Sequence, residues 1–442
     1  MVAMSQDEAA LPRTSPTTDL VLPAPRSTVI VMHASVGSGH RSAANAIAQA
    51  LELLRESDDA SLRQDVAVPP DLNVEVLDVL SFGRIVFDGD KAASMFTGAT
   101  RPVYDLTWRY TLTGRVLWGG GTIWSHVNFP AFTDHVRKTR PLAIICTHIT
   151  AANVAVGARM LLGDSFPVVC VPTDYEVEGM WPHLHSDLFC VANESMAETL
   201  RPRKVPENRI LITGIPTRPA FREAYDKHAV REKRELPQDK RIVLALAGAY
   251  LPRPYVHFRE ALDRILPYLH SFGSTYVVIA TGSDAEYARH LRKDCEELGL
   301  RNATVLDYVE DMAALMAASD LVICKSGGLT VTECLCAQVP MVLLGKAYGQ
   351  EKANVITLTS LGAAMHVTTW RELLDTLRHI DKNPASTDSM LVNASFLRKP
   401  DAALDIARAS LRLAAYEPSG DESMRRKRFA HFYWGGKPAH TR

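Results

Sequence analysis

Asp320-Leu-Val-Ile-Cys-Lys-Ser-Gly-Gly-Leu-Thr-Val-Thr-Glu-Cys-Leu335 reads as a strand that runs through Lys325, Ser326, Gly327 and Gly328 into a helix. Glycines let backbone approach a phosphate closely, and the free amides of a helix start are donors at the positive end of its dipole. A diphosphate fits there. Glu333 lies about one turn into the helix, where a carboxylate can accept hydrogen bonds from both hydroxyls of a ribose. The competing reading is a plain glycine turn followed by an acid that favours the helix dipole.

Around this run, short β-rich segments alternate with helical patterns, the signature of parallel α/β layers. The expected strands on this side are Ile242–Ala247, Tyr276–Ala280, Thr304–Leu306, Leu321–Cys324, Met341–Leu344 and Ala364–Val367. Gly248 follows the first of them, Gly282 and Ser283 follow the second, and the polar segment Gly345-Lys-Ala-Tyr-Gly-Gln-Glu-Lys-Ala-Asn354 follows the fifth. Strand ends of one sheet converge in space, which places Gly248, Gly282 and Ser283 where a nucleotide would lie, while the 345–354 segment reads as part of that site or as a plain exposed loop. Towards the N-terminus, strands are expected at Thr28–His33, Val74–Leu77, Leu142–Cys146, Val168–Val171, Leu188–Ala192 and Ile210–Ile212, with Gly214 to Gln238 as linker and surface helix. The reading is an α/β protein with two Rossmann-like sheets facing a central cleft. Its expected parts are a tail (1–26), an acceptor domain (27–214), a donor domain (215–415) and a basic-aromatic end (416–442).

Composition agrees with this division. At 442 residues the chain is too long for one ordinary core. Lys and Arg number 49 against 50 Asp and Glu, which argues against a dedicated nucleic-acid partner. Seven cysteines, an odd number lying in apolar strands without a CxxC pair, read as reduced thiols of a cytosolic protein. Apolar runs break far short of the roughly 20 residues that span a bilayer.

The order of motifs then resembles a known family. Val309, Asp311, Ala318-Ser-Asp320, Lys325-Ser-Gly-Gly-Leu-Thr330, Glu333, Pro340-Met341 and Gly349-Gln-Glu351 with Asn354 are similar to the donor domain of the monogalactosyldiacylglycerol synthase and processive diacylglycerol glucosyltransferase family. That family is related to the N-acetylglucosaminyltransferase of peptidoglycan synthesis. The resemblance runs over roughly residues 27 to 415. It implies a GT-B fold, a UDP-sugar donor and inversion at the anomeric carbon. It also implies that Gly327, Gly328, Leu329 and Thr330 hold the diphosphate, with Ser326 also in the donor site, Glu333 the ribose, Val309 the uracil through its backbone, and Gln350 and Glu351 the sugar. The chain departs from the family in two places. Ala247-Gly248-Ala249 stands where a longer glycine run is usual, and Tyr348 where a proline precedes Gly-Gln-Glu.

In the acceptor half, Ser35-Val-Gly-Ser-Gly-His-Arg41 joins the first strand to a helix with apolar positions at Ala43, Ala44, Ile47, Ala50, Leu51 and Leu54. It is neither a phosphate-binding Walker loop nor a full GxGxxG. Its interest is His40, an imidazole at a helix start, where the dipole lowers its pKa and favours the neutral, base-competent form. The family has Gly-Gly-Gly-His-Arg at this place, with Gly37 and Gly39 standing for its glycines. His148, in Thr147-His148, resembles the family's Thr-His-Pro and is a second candidate base or binder. Asp174, in Pro172-Thr-Asp-Tyr175, can orient an imidazole or an acceptor hydroxyl, or merely cap. Trp181-Pro-His183, followed by Asp187, completes a family-like acceptor segment. His183 and His185 are spaced poorly for a metal, and no catalytic metal or cofactor beyond the UDP-sugar substrate is expected.

Two segments read either as membrane-facing or, for the first, as a helical core stripe with snorkelling arginines and, for the second, as a flexible tail with nucleic-acid or packing roles. Between Phe82 and Val127, aromatics including Trp108 and Trp118 interleave with Arg84, Arg101 and Arg109, and Arg425-Arg-Lys-Arg-Phe-Ala-His-Phe-Tyr-Trp434 sets positive charge against aromatics. The expectation is transfer of a hexose from UDP to diacylglycerol or a related lipid, at an anionic membrane surface on the cytoplasmic inner face. A UDP-sugar 2-epimerase and a non-catalytic UDP-sugar-binding protein are the alternatives.

Overall fold

The computed structural model describes residues 26–64, 66–84, 127–177, 181–248 and 256–415. Within them every expected strand forms, each end within one residue of its predicted place. The first sheet holds β1 (Thr28–His33), β2 (Asn73–Asp78), β3 (Ala143–Cys146), β4 (Val168–Cys170), β5 (Leu188–Val191) and β6 (Ile210–Ile212), in the order β2-β1-β3-β4-β5-β6. The second holds β7 (Arg241–Leu246), β8 (Thr275–Ala280), β9 (Ala303–Leu306), β10 (Leu321–Cys324), β11 (Met341–Leu344) and β12 (Met365–Val367), in the order β12-β11-β10-β7-β8-β9. All pairings are parallel. Strands buried on both faces have no polar alternation, which is why their continuous apolar runs read so clearly. The α/β, two-sheet expectation holds.

Five helices build the cleft and join the two halves: α1 (Ser38–Glu56), α2 (Ile149–Leu162), α3 (Gly328–Cys336), α4 (Glu351–Ser360) and α5 (Ala402–Ala415). The predicted face of α1, including Ala43, Ile47, Leu51 and Leu54, is wholly buried. Gly37 caps α1 at a φ of 100°, a left-handed value that an L side chain rarely adopts. Alternate residues of the second sheet face opposite cores. Ile242, Leu244, Val322 and Leu343 join one core with Ile30, Met32 and Ile144 of the first sheet, while Val243, Ile279, Ile323 and Val342 join another. The first of these cores spans both halves.

The domain boundary read from sequence needs one correction. That boundary puts helix α5 in the donor domain, yet Leu404, Ile406, Ala407 and Leu411 are buried with Val29, Val31, Ile47 and Leu51 of the first half. Arg408 donates to the Leu62 carbonyl at 2.8 Å and Arg412 to that of Gln64 at 2.9 Å. The chain therefore crosses between halves twice. At the first crossing Gly214, with φ 91°, leaves space for Lys399, whose Cβ lies 2.5 Å from where a side chain would begin. Burying each large apolar side chain of α5 contributes about 1.5–3 kcal/mol, so the return helix ties the halves firmly.

No helix among the described residues is long and apolar enough to cross a membrane. Trp108, Arg109, Trp118 and the 425–434 segment, all expected to face a membrane, lie outside the described residues.

Candidate active site

The site forms where the starts of α1, α2 and α3 come together at the carboxyl ends of β1, β3, β4 and β10. His40 is in the first turn of α1. Its Nδ1 lies 3.0 Å from the Thr147 carbonyl oxygen and 2.9 Å from Thr173 Oγ1. A carbonyl can only accept, so this partner assigns the proton to Nδ1 and leaves the Nε2 lone pair free. Thr147 fixes the arrangement further, because its buried hydroxyl donates to the His40 carbonyl at 2.9 Å. Burial is the main force lowering the His40 pKa, while the Asp174 carboxylate works the other way. The direction is the expected one, and burial is its largest cause.

His148 is the N-cap of α2, and its Nδ1 accepts the Thr150 amide at 3.1 Å. That partner assigns the opposite tautomer, with the proton on Nε2. The two rings meet edge to face at 4.7 Å, and burial followed by the neighbouring His40 and His33 holds His148 well below the usual imidazole range. The sequence offers these two histidines as alternatives. Their partners make them unlike.

Asp174 and Tyr175 reach across to the donor half. Asp174 Oδ1 accepts from Asn354 Nδ2 at 2.7 Å, and the Tyr175 amide donates to Asn354 Oδ1 at 2.8 Å. Tyr175 is buried in the shared core with its hydroxyl on Thr332, and burial pushes that phenol up to about 12. The loop bears directly on the start of α3. A Cβ on Gly328 would lie 2.0 Å from the Thr173 carbonyl oxygen, so nothing but glycine fits. Gly327 differs, with nothing nearer than 3.9 Å to such a Cβ. Of the pair, only Gly327 would accept a side chain.

Among the other donor-side residues, Leu329 faces Gly39 across the cleft, its Cβ 3.8 Å from where a Gly39 side chain would start. Ser326 is buried, its carbonyl accepting from Asn354 at 2.8 Å, and Thr330 lies in the first turn of α3. Glu351 begins α4, pairs with Lys325 Nζ at 3.1 Å and hangs over Gly327, with Gln350 just ahead of it as the helix cap. Glu333 is half-buried, and burial raises its carboxyl to about 7 against the opposing pull of Arg218. Val309 is half-buried and Ser283 exposed in the loops after β9 and β8.

Several predicted site residues also make packing contacts. Gly248 and Gly282 lie against each other: a Cβ on Gly248 would be 2.3 Å from the Gly282 nitrogen, and Gly282 has φ 61°. Close approach of two loop backbones accounts for both. Trp181 is 3 % exposed and packs edge-on against Phe189, on which His183 stacks at 5.6 Å. Both rings pack on Phe189 in the first half, Trp181 buried and His183 half-buried. Asp187 likewise serves structure, pairing with buried Arg159, which also donates to the carbonyl oxygens of His185 and Phe166. Sequence reasoning passes over Thr147, Thr173 and Arg218. The two threonines sit beside His148 and Asp174, and that adjacency is the available signal.

Comparison with known proteins agrees with both halves. Residues 256–409 match the family described as glycosyltransferase family 28 C-terminal domain, and residues 103–217 match monogalactosyldiacylglycerol (MGDG) synthase. The chain is 30 % identical over 262 residues to a processive diacylglycerol beta-glucosyltransferase of Bacillus licheniformis, covering 59 % of this chain and 66 % of that one. It is 28 % identical over 247 residues to the protein of that name in Staphylococcus carnosus, covering 56 % and 61 %. The chain thus spans less than two thirds of the length of either relative. Among solved structures, Acinetobacter baumannii MurG matches with a TM-score of 0.53 at 18 % identity, covering 88 % of this chain and all of that one. A UDP complex of S. aureus MnaA matches with 0.54 at 12 % identity, covering 89 % of this chain and all of that one, a likeness of fold. The family resemblance read from the motifs is borne out in each half, and the fold is GT-B.

Proposed function

We propose that this chain is an inverting glycosyltransferase that moves a hexose from a UDP-sugar to the hydroxyl of diacylglycerol or a related lipid, acting on the anionic cytoplasmic face of a membrane. The observation that carries the reading is the 3.0 Å contact of His40 Nδ1 with the Thr147 carbonyl oxygen, which assigns the proton to Nδ1 and makes Nε2 the acceptor. In the proposed step the lipid hydroxyl oxygen bonds to the anomeric carbon, its proton passes to His40 Nε2, and the bond from that carbon to the diphosphate oxygen breaks, releasing UDP. The amides at the start of α3, beside the open Gly327, stabilise the negative charge on the leaving diphosphate. The carboxylate of Glu333 accepts from the ribose hydroxyls, and Glu351, held by Lys325, stands where the hexose would lie. The relatives named as diacylglycerol glucosyltransferases supply the acceptor class.

The test is product analysis. Purified protein is incubated with a panel of UDP-hexoses and diacylglycerol vesicles, and the extracted lipid is examined by mass and by anomeric proton coupling. A new glycolipid of inverted configuration is expected. An isomerised sugar nucleotide with no glycolipid contradicts the reading in favour of an epimerase, and bound donor without any turnover contradicts it in favour of a binding protein.

A further inference from the structure

Asn354 lies on α4, one turn after Glu351, and it is wholly buried between the halves. Its side chain makes three hydrogen bonds: Nδ2 donates to Asp174 Oδ1 at 2.7 Å and to the Ser326 carbonyl at 2.8 Å, while Oδ1 accepts the Tyr175 amide at 2.8 Å. Both protons and one carbonyl lone pair are used, a pattern that a neutral amide meets and a carboxylate cannot. Two of these partners belong to the first half and one to the diphosphate loop. The next residue back along the first-half loop is Thr173, whose hydroxyl is 2.9 Å from His40 Nδ1. An unbroken series of contacts therefore joins α4 and the Gly327 loop to the imidazole across the cleft.

We propose that Asn354 is a positioning residue that couples the seat of the donor to the candidate base, by holding the 172–175 loop against the diphosphate loop so that Thr173 and Asp174 are set around His40. This rests on the transferase reading and adds a specific residue to it. A ligand that orders the Ser326–Gly328 loop or the start of α4 tightens the hold of Asn354 on the first half, since local order on one side of a shared hydrogen-bonded group is felt on the other.

The test compares wild type with Asn354→Asp, which keeps the volume but sets a carboxylate against Asp174 and the Ser326 carbonyl, and with Asn354→Ala. UDP-hexose affinity is measured by calorimetry, turnover by UDP release with diacylglycerol vesicles, and amide exchange over residues 172–177 with and without UDP. Both variants are expected to lose at least roughly tenfold in kcat while the donor Kd moves less than about threefold, because misplacing the base leaves ground-state donor contacts intact. UDP is expected to slow exchange of the Tyr175 amide by at least about fivefold in wild type and not in the variants. Equal UDP-induced protection in wild type and Asn354→Asp overturns the coupling, as does an unchanged kcat. If wild type releases no UDP with any acceptor, the transferase reading fails, and the exchange comparison still decides the role of Asn354. Unchanged exchange in the β1 and β10 amides shows that a variant remains folded.

Discussion

His40 and His148 are 4.7 Å apart, yet each has its proton placed by a different partner. The Thr147 carbonyl takes the Nδ1 proton of His40, whereas the Thr150 amide occupies Nδ1 of His148. An asparagine can replace a capping histidine as acceptor of a helix-start amide but cannot act as a base. His148→Asn is therefore expected to keep most of the turnover, and His40→Asn to lose roughly 10²–10⁴-fold in kcat; steady-state kinetics of the two decide the assignment. Burial lowers the His40 pKa below its ordinary 6.5, so the neutral ring persists below that pH and is lost only as pH falls further. The acid limb of kcat at saturating UDP-hexose belongs below 6.5, and a limb above it contradicts the assignment. Glu333 shifts the other way, from 4.5 to about 7. The fold holds that proton more tightly than the unfolded chain does, so the contribution of Glu333 to stability is full below about 4.5 and lost as pH rises through about 7. Ribose hydroxyls favour the ionised form, so UDP-hexose affinity is expected to rise with pH through that window in wild type and to stay flat in Glu333→Gln, as read by calorimetry.

At the scale of elements, the glycine pair ahead of α3 divides into two jobs. Gly328 is pressed by the Thr173 carbonyl, and Gly327 opens on the cleft. Gly328→Ala is expected to cost about 1–3 kcal/mol through overpacking and to lower the melting temperature. Gly327→Ala, whose φ of −68° suits alanine, is expected to melt like wild type while binding UDP more weakly. Equal melting and equal affinity for both variants would remove the distinction. The pair also shows where sequence reading stops. Strand-glycine-helix is legible because an apolar run, a turn and a helix start are all local patterns, and the same holds for all the strands. The reason for Gly328 lies at Thr173, more than 150 residues earlier, and no local pattern carries it. Gly248 and Gly282 teach the same point, since each is explained by the other. His40, Asp174 and Glu333 are legible as candidates because reactive side chains at strand ends and helix starts are few. Their hydrogen-bond partners, which decide what each can do, are not.

For the whole molecule, α5 is the element whose place the sequence does not disclose: an apolar helical face says that it is buried, not against which sheet. Its return to β1 and α1 closes the first half with residues from the far end of the described chain, so the halves share a core and two crossings. Leu404→Ala is expected to cost about 2–5 kcal/mol and to lower one cooperative transition for both halves together, as followed by calorimetry. Two separate transitions, with only one moved, contradict that linkage. The shared core in turn holds His40 opposite the open Gly327 loop, which is the arrangement on which the proposed chemistry depends. The most direct test is UDP release from UDP-hexose by wild type and His40→Ala, each with and without diacylglycerol vesicles. Lipid-dependent release by wild type, lost in the variant with donor affinity retained, is the predicted result. Release that ignores the lipid, or that survives in His40→Ala, contradicts the account.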